Sequence, residues 1–445
     1  MSLAELQRPE HLDAVGGEMY RLIAELYPIC RSITGDGVRE TLRRVGTRIP
    51  LAAHEVSTGT RVFDWTVPKE WNVRDAYVAN SRGERVIDFQ KSSLHVVSYS
   101  VPVRRRMRLA ELRPHLFTLP EHPDWIPYRT SYYTENWGFC LSHRQLLALA
   151  EDEYEVCIDA SLEDGHLTYG ECVLEGELVD EVLISCHICH PALCNDNLSG
   201  IALATCLAQH LQEVTRRYSY RFLFVPGTIG SITWLSLNER RVSRIKHGLV
   251  LACGGDAGPC TYKKSRGGDA EIDRALIHVL RRSGRPFTVM DFAPHGYDER
   301  QYCSPGFDLP VGCFMRTPYG QFPEYHTSAD DLDLVKPAML ADSFAVCTSA
   351  LDLLEHNKTF VNQNPKCEPQ LGRRGLYRAI GGPPDPGHRE RALLWVLNLS
   401  DGRHSLLDIA ERSGLEFGIV RAAAQALLEH GLLKEAQASA GSAPE

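Results

Sequence analysis

Over the first 55 positions apolar residues recur with the three- and four-residue spacing of amphipathic helices, most clearly at 19–27 and 38–45. Thr34-Gly35-Asp36-Gly37 between them predicts a break. From about Arg61 the rhythm shortens. Alternating or β-branched runs at 76–78, 85–88 and 94–101 are divided by turn residues such as Ser81-Arg82-Gly83, and Trp65, Trp71, Trp125 and Trp137 all fall in this stretch. The pattern predicts a small β-rich domain over 61–168, inserted between the two halves of another domain.

From Glu171 the pattern changes again. Continuous apolar runs at 182–186, 222–225, 249–253 and 311–315 suit strands covered on both faces. Helical spacing returns between them at 200–211, 229–237 and 272–282. This alternation predicts an α/β domain, a mostly parallel mixed sheet flanked by helices, built from 1–60 and 169–365. Residues 366–445 are expected to form a linker and a C-terminal module. Gly381-Gly382-Pro383-Pro384 marks the linker, and three short helical patterns follow at 392–399, 405–412 and 417–430. Gly414 separates the last two, as in a helix-turn-helix or winged-helix module.

At 445 residues, 43% hydrophobic and 24% charged, the chain is long enough for two or three domains and is not a disordered or fibrous sequence. A net charge of −9 offers no attraction to nucleic acid or an anionic membrane, so the expected partner is a peptide or a small amino-acid-derived molecule. The C-terminal module changes nothing here. Arg421 is the only basic residue over 417–429, and residues 387–436 hold six Lys/Arg against seven Asp/Glu. A homo-oligomer or a protein partner suits the module better than DNA. The opening residues show no basic segment followed by an apolar one, and no apolar run reaches about 18 residues, so a cytoplasmic location is expected. The 14 cysteines are scattered and read as small buried hydrophobes, but Cys186, Cys189 and Cys194 cluster with potential metal ligands.

Those ligands lie in Ser185-Cys186-His187-Ile188-Cys189-His190-Pro191 and Asn195-Asp196-Asn197-Leu198-Ser199-Gly200, between a buried strand and the helix after it. In open α/β sheets ligands bind in the crevice at the carboxyl ends of the strands. Imidazole and carboxylate suit zinc, and a carboxylate can bridge two ions about 3.5–4 Å apart. Two later loops add Asp256, in Cys253-Gly254-Gly255-Asp256, and His326, in Pro323-Glu324-Tyr325-His326-Thr327.

At these residues the chain resembles the clan of zinc aminopeptidases with a bridging aspartate. More closely, it resembles a bacterial aminopeptidase-like family with a β-rich insert and a C-terminal winged helix. Stretches such as Tyr27-Pro28-Ile29-Cys30-Arg31-Ser32-Ile33-Thr34-Gly35, Asp64-Trp65-Thr66-Val67-Pro68 and Cys367-Glu368-Pro369-Gln370-Leu371-Gly372 carry the second likeness. The resemblance implies His187, Asp196, Asp256 and His326 as ligands of one or two zinc ions, with His190 an alternative ligand. It departs from the clan at Cys189, where a carboxylate supports the first histidine, and at Gly227, where a Glu-Glu pair stands. That pair supplies the general base, so Glu299 and Glu324 become candidates for it. Tyr262, Arg300 and Arg316 are candidates for holding a substrate. The expected function is metal-assisted hydrolysis of a peptide or amino-acid amide. The alternative is a non-catalytic metal- or ligand-binding protein on the same fold.

Overall fold

The most apolar runs of the sequence form the centre of an eight-stranded mixed sheet. In this computed structural model, which describes residue 3 and residues 5–377 and 387–436, its strands are β1 (Ala52–Ser57), β2 (His166–Leu174), β3 (Glu181–His187), β4 (Ser219–Val225), β5 (Ile245–Leu251), β6 (Cys260–Lys263), β7 (Phe287–Met290) and β8 (Val311–Met315). The linker expected at Gly381-Gly382-Pro383-Pro384 lies outside the described residues. The strand order is β1-β2-β4-β3-β5-β8-β6-β7. β4, β3, β5 and β8 run parallel, while β2 and β6 pair antiparallel with that central block. Every residue of β3 and β4 is buried, which explains why their sequences do not alternate.

Helices cover the sheet. The small side chains of Ser199–Leu211 bury nearly all of that helix, and Pro9–Leu26, with Met19, Leu22 and Ile23 buried, packs against it. Ile229–Asn238 follows β4. One helix among the described residues, Pro337–His356, is long and apolar enough to cross a membrane by length and composition, and most of it is buried inside the protein. The sequence pattern alone did not single it out.

Between β1 and β2 lies a four-stranded antiparallel sheet ordered Arg85–Asp88, Glu70–Ala79, Glu153–Glu163, Val103–Arg108. Its apolar face does not close on itself. One continuous core joins Trp71, Val78 and Tyr154 of this sheet to Leu183, Val225 and Cys313 of the large one. The chain accordingly divides into two compact units, Met1–Leu280 with Arg285–Thr348, and Arg281–Gly284 with Ser349–Glu445. The second unit holds helices His388–Leu399, Leu406–Ser413 and Phe417–Glu429 and a three-stranded antiparallel sheet of Asp401–Ser405, Thr359–Asn362 and Leu433–Glu435, the elements of a winged helix. Gly414, at φ 71°, ends the middle helix in the left-handed conformation that favours glycine.

Candidate metal and hydrolytic site

β3 ends at His187, and the chain turns through His190 before Asp196 enters the helix Ser199–Leu211. Asp196 is fully buried and gathers the imidazoles around it. His187 Nε2 lies 2.9 Å from its Oδ1, His326 Nε2 lies 3.0 Å from its Oδ2, and His190 Nε2 is 3.9 Å from Oδ2. The Tyr297 hydroxyl donates to Asp196 Oδ1 at 3.1 Å, and its ring stacks on His187 at 4.7 Å between centroids. Asp330 fixes the backbone beneath, accepting from the N–H groups of Asn195 at 2.5 Å and Asp196 at 2.9 Å. The carboxyl of Asp196 is held well below its usual range. Burial alone would raise it, but His190 and the hydrogen bonds from His187 and His326 outweigh that.

His187, His190 and Asp196 each offer a ligand atom, all within 4.8 Å of one another, and His326 reaches the same carboxylate. Three imidazoles and one carboxylate at the end of a buried strand suit zinc. His190, the alternative ligand of the sequence, stands in this cluster. Asn197 Nδ2 lies 3.3 Å from His187 Nδ1.

The structure does not bring Asp256 into this group. Its oxygens accept from Thr317 Oγ1 at 2.5 Å, Gly258 N at 2.7 Å and Asn195 Nδ2 at 2.9 Å, so it braces the loop that carries Asp196. Cys253, three residues earlier, is closer to the cluster, with its Sγ 3.1 Å from the Tyr297 hydroxyl. Two expected substrate contacts are also structural. Tyr262 is fully buried and donates to Asp273 at 2.8 Å, and Arg316 is buried in an ion pair with Asp342 at 2.7 Å. Arg300 is half-buried and does not line the cavity beside the cluster.

That cavity, of about 190 Å³, is lined by His187, His190, Gly227, Tyr319 and Tyr325 and by the loop His295-Gly296-Tyr297-Asp298. Neither expected base faces it. Glu299 is fully buried in an ion pair with Lys263 at 2.8 Å, and the half-buried Glu324 is not among the lining residues. Asp298 does face it. Its Oδ1 accepts from Ser231 Oγ at 2.8 Å, while Oδ2 is buried without a partner. Burial pushes its carboxyl up to about 6, with the Glu299 charge adding and His187 and Ser231 pulling back.

The inserted segment also reaches the site. The Tyr128 N–H donates to the His326 carbonyl at 2.7 Å, and Pro127 bridges to Thr327, so residues 126–128 hold the loop of the last histidine. The Tyr128 ring stands edge-on to both His190 and His326. The sequence offered no signal for Tyr128 or Asp330, and Asp298 appeared only as the neighbour of Glu299.

Residues 20–357 match a family model described as a domain of unknown function (DUF4910), and residues 358–435 match a winged helix-turn-helix model. A Clostridium acetobutylicum protein named for polysaccharide biosynthesis and an aminopeptidase-like domain is 57% identical over 419 residues, 94% of this chain and 96% of its own. A crystal structure from that organism, named as a peptidase, is similar at 53% identity and a TM-score of 0.93, over 98% of this chain and all of the other. BSAP, a zinc aminopeptidase from Bacillus subtilis, shares the fold at 12% identity and a TM-score of 0.56, over 75% of this chain and 94% of its own.

Proposed function

Because the chain belongs to the DUF4910 family of aminopeptidase-like proteins, we propose that it is a zinc-dependent hydrolase of a peptide or amino-acid amide bond. One observation carries the reading: His187, His190 and His326 converge on the buried Asp196 where the parallel strands end. Zinc held there would polarise an amide carbonyl and lower the pKa of a water molecule to about 7. The chain's own residues keep the donors in place. Tyr297 orients Asp196 and stacks on His187, Asp330 pins the backbone of Asp196, and Tyr128 braces His326.

Gly227 favours a second reading, a binding protein without turnover, because no carboxylate stands at that position. For the C-terminal module a protein partner or self-association is proposed rather than nucleic acid. Arg421, the basic residue of its last helix, is paired with Asp352 at 2.9 Å.

The test is zinc content after metal supplementation, measured with turnover on aminoacyl amides and peptides carrying free or blocked N-termini. Zinc at one ion per chain, lost in His187→Ala and His326→Ala, is expected with turnover of at least one amide. Absence of bound metal overturns the site, and metal without turnover leaves the binding protein.

A further inference from the structure

The hydrolase reading lacks a group to take the proton from water, since Gly227 stands where a carboxylate is expected. We infer that Asp298 is that general base, supplied from the loop after β7 into the space that Gly227 leaves open. The inference rests on the hydrolase reading for its reaction and on geometry for its residue.

Steric crowding at Gly227 comes first. A Cβ there would lie 3.0 Å from the Cβ of His187, so any longer side chain would press on the first histidine. The same point lies 3.7 Å from Asp298 Oδ2. A carboxylate oxygen from another loop thus lies next to the position that Gly227 leaves without a side chain. The second observation is the state of that oxygen. It is buried and accepts no hydrogen bond, while Ser231 fixes its sister oxygen, and Asp298 is one of the residues lining the cavity beside His187 and His190. A buried acceptor without a donor is costly unless a ligand or water completes it.

The loop is built to hold this orientation. Gly296, at φ 146°, brings its backbone against the Lys263–Glu299 pair, where a Cβ would stand 2.4 Å from Glu299 Oε1 and 3.0 Å from Lys263 Nζ. Lys263 Nζ also donates to the His295 carbonyl at 2.6 Å, as does the Tyr319 hydroxyl at 2.7 Å. Both ends of the turn carrying Tyr297 and Asp298 are therefore tied. Glu299 Oε2 also lacks a partner, but Glu299 does not line the cavity.

In the step assigned to it, Asp298 Oδ2 accepts a proton from the attacking water as the water oxygen bonds to the amide carbon. The C–N bond then breaks, and the same proton passes from Asp298 to the leaving nitrogen, which restores the carboxylate. Burial and the Glu299 charge, opposed by His187, Ser231 and Arg300, leave this carboxyl more basic than an exposed aspartate, which suits transfer near neutral pH.

Asp298→Asn keeps the shape and an acceptor for Ser231. It is expected to retain zinc and to lose about 10²–10⁴-fold in rate, the usual worth of a general base. Its residual rate should lack the acid limb seen in the parent. Glu324→Gln should turn over at the parental rate. An Asp298→Asn chain hydrolysing as fast as its parent overturns the base and leaves the hydrolase reading standing. If the parent hydrolyses nothing, that reading fails, and Asp298 is judged by acetohydroxamate, which gives up a proton on chelation. Calorimetry at pH 7 on the zinc-loaded chains should then show binding weakened about tenfold or more by Asp298→Asn, the loss of one charge-assisted hydrogen bond. Unchanged binding overturns the assignment.

Discussion

His247 offers a perturbation far simpler than any at the site. It lies in β5, 4% exposed, with neither ring nitrogen hydrogen-bonded and the Tyr218 ring perpendicular at 5.1 Å. Burial lowers its pKa from 6.5 to about 4, with Arg217 and Lys246 adding to the effect. As pH falls through 6.5 the unfolded chain binds a proton here, while the folded chain does so only near 4. The unfolded state therefore carries more protons across that window, and stability rises with pH through it. With these two values, the folded state should lose about 2 kcal/mol between pH 7 and pH 5 through this residue alone. His247→Leu removes the titration and the unpartnered nitrogens, whose burial costs about 1–3 kcal/mol. Denaturant unfolding of both chains at pH 7 and pH 5, followed by tryptophan fluorescence, measures the difference, since all other titrating groups are common to the pair. The variant should be no less stable at pH 7 and should gain about a further 2 kcal/mol on its parent at pH 5. Equal losses in the two chains would refute the reasoning.

Two further variants test how the site is held. Lys263→Met strands the fully buried Glu299 carboxylate and should cost about 3–5 kcal/mol in denaturant unfolding, whereas Lys263→Met/Glu299→Gln should recover most of it. Gly227→Ala places a Cβ 3.0 Å from that of His187, and metal titration should show zinc affinity reduced by about 10–100-fold, the effect of disturbing a ligand's support.

The strands of the central sheet were legible because burial on both faces leaves a continuous apolar run, and the C-terminal helices because of their spacing and the break at Gly414. His187, Asp196 and His326 were legible for a related reason: they stand just beyond strands or at a helix entry, where residue type and position agree. Asp256 met the same condition and still lies elsewhere. Cys253, at φ 43°, turns the backbone after β5, and a single left-handed residue redirects every side chain after it. Periodicity carries no record of such a turn. Nor does it record the pairing of Pro127 with Thr327, which joins segments far apart in sequence.

The choice between Asp298 and Glu299 shows where residue type stops being informative. The two carboxylates are adjacent at the start of the one-turn helix Glu299–Tyr302, so their side chains leave the backbone in different directions. Which of them meets the cavity depends on the rotation of that turn. Lys263 and Tyr319 set the rotation through the His295 carbonyl, and Tyr297 sets it through its stack on His187. Lys263 takes Glu299 away from the cavity and neutralises it. Asp298 is left as the carboxylate with an unpartnered oxygen, 3.7 Å from where a Cβ on Gly227 would stand. The glycine that reads in sequence as the loss of a base is, in the fold, what gives another base access.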